Sequence, residues 1–455
     1  MSDYQLIVIG AGPGGYTAAL RAAKLGMKTA IVERRDVGGT CLNRGCIPTK
    51  TLLHAAEVVR EARDGGAIGI QAEARVDLAA LYRRKAEVVE QLRGGIEGLF
   101  KQKKVDLLRG QGTITAPGTV AVGDTTYTAD HILIATGSVP ARPPIPGLEH
   151  AVTSDELLEG RERLPESLVI IGGGVIGMEF ASFYSALGVQ VTVLEAMDRI
   201  LPNLDREICQ NLTMILKKQG VAIVTGAMVS AVEEQGDGLL AVRYTCKEQP
   251  GEAVGDTVLC AIGRRPNTEG LLGEGVALEM ERGRIVTDEL GRTSMAGVYA
   301  AGDVTARVQL AHVATAQGTA CAEHLAGHAA LTDLAAIPSC VYTSPEIAAV
   351  GLTADEAKAA GRAVKVGKYV MFSNGRTVIA GGQRGFIKVV ADSESGVILG
   401  AQLMCERATD LISQFTAAVV NQLTAAQLLK VMRPHPTFDE GIGDALEDLL
   451  EKLGR

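Results

Sequence analysis

Apolar positions come early and close together: Leu6 to Ile9 form an unbroken run, then glycines and a proline intervene (GAGPGG), then an alanine-rich stretch continues with apolar residues at helical spacing. This predicts a strand, a tight turn and a helix. A second apolar run, TAIVE, predicts another strand ending on Glu33. The unit then recurs in register. Gly10, Gly12, Gly15, Ala19, Leu25, Gly26 and Glu33 reappear 162 positions later as Gly172, Gly174, Gly177, Ala181, Leu187, Gly188 and Glu195, a match that chance explains poorly.

Between the copies, Ala62 to Lys104 is charged and helical in pattern, which predicts a long helical excursion with a solvated face. HILIATG predicts a strand that hands the chain, at Thr136 and Gly137, back towards the first turn, and the proline-rich Val139 to Gly147 is a linker candidate. The second unit runs to about Gly263, where AIGRRPNT again follows a strand, and GVYAAGDV places Asp303 directly after another. From about Ile337 the pattern becomes strand-rich. GFIKVVADSESGVILGAQL predicts a hairpin turning near Ser395 and Gly396, and a helical stretch from about Arg407 to Met432, the loop RPHPTFDE and a short acidic helix follow. The predicted class is α/β, with two Rossmann-like dinucleotide-binding domains and a C-terminal α+β domain. The expected segments are 1–145 for the first nucleotide domain, 146–263 for the second, 264–336 for a return to the first, and 337–455 for the last.

Composition removes several roles. The chain has 455 residues, 47% of them hydrophobic, with net charge −8 and pI near 5.6, so cores are affordable while nucleic acid and anionic membrane surfaces are poor partners. MSDYQLIVIGAG enters a strand pattern too soon for a signal peptide, which makes cytoplasm the expected compartment. The longest apolar run, about Leu168 to Val189, contains Glu179 and several glycines and is not expected to span a membrane. Of eight scattered cysteines only Cys41 and Cys46 form a close pair, which suits cytosolic thiols better than a secreted framework, and no metal site is expected.

The repeated G-x-G-x-x-G lets a pyrophosphate approach a helix N-terminus, and a carboxylate at the end of the next strand can accept from a ribose. Two such units suggest two nucleotides with electrons moving between them. The cysteines lie in GGTCLNRGCIPTK, just past the first unit. Positions i and i+5 of a regular helix stand about 8–9 Å apart, beyond the roughly 4.4–6.8 Å a disulfide spans. A bridge therefore requires a distorted turn, with Gly45 supplying backbone freedom and Pro48 interrupting regular helix bonding, and it should be easily reduced. From spacing alone, a reactive pair and two unrelated buried thiols fit equally well; C-x4-C is not a zinc spacing. Asp303 fits a contact to a cofactor hydroxyl or an ordinary turn aspartate. His435 and Glu440, five apart in a proline-interrupted loop, fit a base with its orienting carboxylate, although a lone histidine is more often structural.

Together these motifs resemble the flavoprotein disulfide reductases over essentially the whole chain, and within them the branch that oxidises dihydrolipoamide. GGTCLNRGCIPTK resembles the redox-active segment, GAGPGG the FAD site, GGGVIG the NAD site, GVYAAGDV a second flavin contact and HPTFDE the base loop. The resemblance implies FAD and NAD as cofactors, held by Gly10, Gly12, Gly15, Glu33, Thr136, Gly137 and Asp303, and by Gly172, Gly174, Gly177, Glu195 and Gly263. It further implies that Cys41 is the interchange thiol, Cys46 the thiol nearer the flavin, and Lys50 with Glu179 an ion pair near flavin N5. His435 would be the acid/base and Glu440 its partner, reaching the other subunit's cysteines across a homodimer formed by the C-terminal dimerisation domain. The partner implied is a lipoyl-bearing protein of a 2-oxo acid dehydrogenase complex or of the glycine cleavage system. One departure is Arg433, which stands where the family commonly has the first histidine of H-x-H-P-T. Mercuric reductases fit less well because no cysteine follows Cys405, and glutathione reductases because Glu195 disfavours NADPH. A flavin NADH oxidase or diaphorase, or a non-catalytic redox sensor, would not need both the cysteine pair and the base.

Overall fold

The N-terminal apolar run forms β1 (Tyr4–Ile9), held between two parallel neighbours and buried everywhere except Gln5. Burial on both faces is why it reads as a continuous run and not an alternation. The chain then enters α1 (Pro13–Lys24), whose opening proline sits where no backbone donor is needed, and returns in β2 (Thr29–Glu33) beside β1. The computed structural model describes residues 2–160, 162–382 and 384–455. In it, β3 (Asp106–Arg109), β2, β1, Thr125–Ile134 and Val298–Ala300 lie side by side in that order, all parallel.

The second unit repeats the scheme. Ser167–Ile171 leads into the helix Val175–Ala186 and then Gln190–Glu195, and the parallel order is Ala222–Thr225, Gln190–Glu195, Ser167–Ile171, Thr257–Cys260 and Val152–Thr153. In both sheets the order reverses beside the first strand, which places a crevice at the carboxyl ends of the strands, above the glycine turn. The chain leaves the first unit through Ser138–Pro140 and comes back through Arg264–Pro266, and these two crossings pair antiparallel.

In the charged stretch 62–104 the first residues complete α3 (Cys46–Asp64), and after a break a second, long helix follows, α4 (Leu78–Lys103). Asp77 starts the second by accepting from Ala80 N–H at 3.0 Å. At the C-terminus, five antiparallel strands run in the order Ser339–Val341, Ile347–Gly351, Ile398–Met404, Phe386–Asp392 and Val364–Val370, packed on the helices Ala408–Val420 and Glu440–Lys452. The helix expected from Arg407 to Met432 is broken. Gln422 takes a left-handed φ of 51°, and Thr424 with Gln427 forms a capping box that starts a new helix, Ala425–Leu429.

Candidate functional site

Cys41 lies in a short helix, α2 (Gly39–Arg44), and Cys46 opens α3. The two are disulfide-bonded, with Cα atoms 4.7 Å apart, well inside the distance regular helix would give. The break falls at Gly45, where an added Cβ would stand 3.0 Å from Thr40 O and 3.2 Å from Cys41 Cα. Pro48 has no N–H to offer Arg44 O, so regular bonding does not run on from α2 into α3, as its sequence position suggests. It sits in the first turn of α3, where its missing N–H is not required, while Thr49 N–H closes the turn on Gly45 O at 3.1 Å. The segment is seated directly on the first nucleotide turn: Gly39 has φ +61°, and a Cβ there would lie 2.5 Å from Gly12 Cα. Asn43 anchors α2 by donating to Val37 O and Gly39 O.

The two nucleotide turns agree down to single hydrogen bonds. Glu33 accepts from Ala11 N–H and Arg35 N–H, both at 2.8 Å, and Glu195 accepts from Gly173 N–H at 2.5 Å and Met197 N–H at 2.7 Å. Each carboxylate oxygen uses one lone pair this way and keeps another for a ribose hydroxyl. Gly12 and Gly174 cap their helices with no side-chain hydrogen bond and no acidic residue in the first turn, so the N-terminal N–H groups remain open to an anion. Gly15 and Gly177 allow each helix to lie against its turn, since a Cβ would come 1.8 Å from Gly10 O and 2.0 Å from Gly172 O. These features fit two dinucleotides.

Around the first crevice, Asp303 accepts from Ser138 Oγ at 2.6 Å, and Ser138 accepts from Arg264 Nε at 2.9 Å. Arg264 also pairs with Asp155 at 3.1 Å. Burial pushes the Asp303 carboxyl above its ordinary pKa, partly offset by Ser138 and Arg264. Thr136 and Gly137 are tied to the other crossing: Thr136 Oγ1 donates to Asn267 O at 2.7 Å, and Asn267 N–H donates to Gly137 O at 2.9 Å. Gly263 O accepts from Ala141 N–H at 3.0 Å in the same junction. Lys50 Nζ meets both oxygens of Glu179, at 2.8 and 2.7 Å, which joins α3 to the helix of the second unit. The Glu179 side chain is 4% exposed, and Tyr342 N–H also donates to it at 3.1 Å. Ser138, Arg264, Asn267 and Tyr342 escaped sequence reasoning. The charged pair in GRRPN was the available signal for Arg264; Tyr342 had none, since its partners lie in other segments.

The histidine stands apart from the cysteines. His435 Nδ1 is 2.8 Å from Glu440 Oε1, and Glu440 Oε2 accepts from Thr437 N–H at 2.9 Å. These two contacts, the Thr437 bond first, hold the Glu440 carboxyl below its ordinary pKa. The His435 side chain is 79% exposed, and among the described residues Glu440 is its one polar contact. Arg433 turns inward. It donates to Val431 O at 2.9 Å and approaches Asp439 at 3.8 Å, so it supports the loop from beneath.

A bridged cysteine pair seated on one of two dinucleotide crevices, with a charged junction between them, defines a nucleotide-dependent disulfide oxidoreductase. The chain belongs to the pyridine nucleotide-disulphide oxidoreductase family, whose model matches residues 4–318, with the family's dimerisation domain matching residues 337–446. It is 43% identical over 454 residues to a dihydrolipoyl dehydrogenase of Thermus scotoductus, covering 99% of this chain and 98% of that one. It is 40% identical to a dihydrolipoyl dehydrogenase of Bacillus subtilis, covering 98% and 97%. Among solved structures it resembles the HOCl-induced flavoprotein disulfide reductase RclA of Escherichia coli, with TM-score 0.87, 30% identity and coverage of 98% and 99%.

Proposed function

We infer that this protein is an NAD-dependent dihydrolipoyl dehydrogenase. The observation that carries the inference is the Cys41–Cys46 bridge, packed against the first glycine turn and followed within one helical turn by Lys50, in a chain whose relatives over nearly full length are dihydrolipoyl dehydrogenases. The protein uses FAD and NAD and works as a homodimer, to which its dimerisation domain is suited. Its reductant is a dihydrolipoyl group carried by a protein arm of a 2-oxo acid dehydrogenase complex or the glycine cleavage system.

In the reaction, His435 takes a proton from one thiol of the dihydrolipoyl group, with Glu440 fixing the ring's tautomer and stabilising the imidazolium. The resulting thiolate attacks Cys41 Sγ, the Cys41–Cys46 bond breaks, and Cys46 leaves as a thiolate. The second substrate thiol then attacks its own mixed-disulfide sulfur, closing the lipoyl disulfide, while the His435 imidazolium gives its proton to the departing Cys41 sulfur and takes up the second thiol's proton. Two electrons have passed from substrate to the cysteine pair. FAD held in the first crevice would supply the two-electron link between the cysteine pair and NAD. Glu33 and Asp303 would hold the first cofactor and Glu195 the second, while the Lys50 ammonium supplies fixed positive charge in the first crevice.

Thiol counting tests this reading. Of the eight cysteines, six are free in the oxidised protein. Anaerobic dihydrolipoamide should raise the denatured thiol count of the wild type by two, and should add none in Cys41→Ser. An unchanged wild-type count would overturn the assignment.

A further inference from the structure

We propose that Tyr342 is a positioning residue for the Lys50–Glu179 pair: its ring holds the Lys50 ammonium, its backbone holds the Glu179 carboxylate, and the C-terminal domain thereby sets the charge in the first crevice. The proposal rests on the reading that Lys50 lies beside the flavin, and its test separates the two.

Three parts of the chain meet at this point. Lys50 comes from α3 beside the redox cysteines, Glu179 from the helix of the second nucleotide unit, and Tyr342 from the residue following the first strand of the C-terminal sheet. Lys50 Nζ lies 4.6 Å from the Tyr342 ring centroid, within the range at which an ammonium is attracted to an aromatic face. Glu179 Oε1 accepts from Tyr342 N–H at 3.1 Å. One residue therefore touches both members of the ion pair, by different groups.

The arrangement uses the ammonium's directions unequally. Glu179 faces it with both carboxylate oxygens, so one whole side of the ammonium is turned to the carboxylate. The aromatic face of Tyr342 covers another side. Lys50 keeps 31% of its side chain exposed while Glu179 keeps 4%, so the pair is closed on the carboxylate side and open on the lysine side. A flexible four-carbon stem would ordinarily let such an ammonium wander. The ring and the carboxylate remove that freedom and leave the exposed side of the ammonium for whatever enters the crevice. Burial raises the Tyr342 phenol above its ordinary pKa, so the ring stays neutral and its face remains attractive to a cation through the working pH range.

The test is a series at position 342 in the FAD-loaded full-length protein. Tyr342→Phe keeps the face, Tyr342→Leu removes it, and ring-fluorinated phenylalanines at the same position drain the face of negative charge with little change in shape. The readouts are the flavin midpoint potential, the long-wavelength absorbance of the two-electron-reduced protein, FAD content, and turnover with dihydrolipoamide and with a diaphorase acceptor. We expect Tyr342→Phe to stay within about twofold of wild type on every readout. Tyr342→Leu and the most fluorinated residue should keep their FAD while the midpoint potential becomes more negative, because a less well held cation stabilises reduced flavin less. Dihydrolipoamide turnover should fall about tenfold, more than diaphorase turnover. If Tyr342→Leu loses FAD, the fluorinated series alone decides, since it preserves packing. A potential that does not move with fluorination would overturn the proposal, and so would a Tyr342→Phe as impaired as Tyr342→Leu. Failure of the wild type to oxidise dihydrolipoamide would instead overturn the proposed function, leaving the potential series readable.

Discussion

His435 and Glu440 are joined by a 2.8 Å contact from Nδ1 to Oε1, while the opposite edge of the imidazole faces outward from a side chain that is 79% exposed. An imidazole fixed on one edge and open on the other fits the proposed base acting on the partner subunit's cysteines. Replacing His435 by glutamine should leave FAD content and NADH-dependent diaphorase activity largely intact while lowering dihydrolipoamide turnover by roughly 10²-fold or more. Mixed dimers of inactive Cys41→Ser and His435→Gln chains should regain one working site. Demonstrated heterodimers that show no recovery would place the histidine in the service of its own chain, or outside the reaction.

The two bridged cysteines should differ in kind. Cys46 opens α3, one turn from Lys50, while Cys41 sits in the separate α2. In Cys41→Ser the remaining thiolate should still give a long-wavelength charge-transfer band with the flavin, and in Cys46→Ser the band should vanish. The reverse pattern would exchange the two roles.

Nucleotide choice should follow Glu195. Its carboxylate is already fixed by Gly173 and Met197 N–H groups, so it can accept from a 2′-hydroxyl but cannot swing away from a 2′-phosphate. NAD should exceed NADP by at least about tenfold in kcat/KM, equivalent to about 1.4 kcal/mol. Arg199, which donates to Pro202 O at 2.8 Å, would be the residue to examine if steady-state kinetics showed equal rates.

Asp303 makes stability without cofactor depend on pH. Burial raises its folded pKa above the ordinary 3.8, so the folded apoprotein binds this proton more tightly than the unfolded chain. That contribution is full below the unfolded value and is lost as the pH rises through the folded one. Asp303→Asn keeps an acceptor for Ser138 but carries no charge. Its melting temperature relative to wild-type apoprotein should therefore improve as the pH rises from about 3 to neutrality; a difference that stays flat, or shrinks, would contradict this account.

The glycine turns, the acids closing the second strands and the cysteine segment were legible because each is local: spacing within about thirty residues carries the whole signal. The repeat of Glu33 by Glu195 extends even to the two N–H groups each accepts. Contacts between segments were not legible. Ser138 and Arg264 are 126 positions apart, and they meet only because two chain crossings pair antiparallel. Tyr342 reaches Glu179 across 163 positions by a backbone N–H, a contact that no side-chain pattern could announce. Pro48 was legible as an interruption, since its missing N–H falls where α2 would have run on, but position alone did not say that a new helix starts at Cys46.

The central claim, that electrons pass from a dihydrolipoyl dithiol through the Cys41–Cys46 pair to NAD, is tested most directly by NADH formation from free dihydrolipoamide and NAD. Wild-type protein should form one NADH per dithiol oxidised, and Cys41→Ser, with its FAD retained, should form essentially none. An absence of NADH formation by FAD-replete wild type, or equal formation by the Cys41→Ser variant, would contradict it.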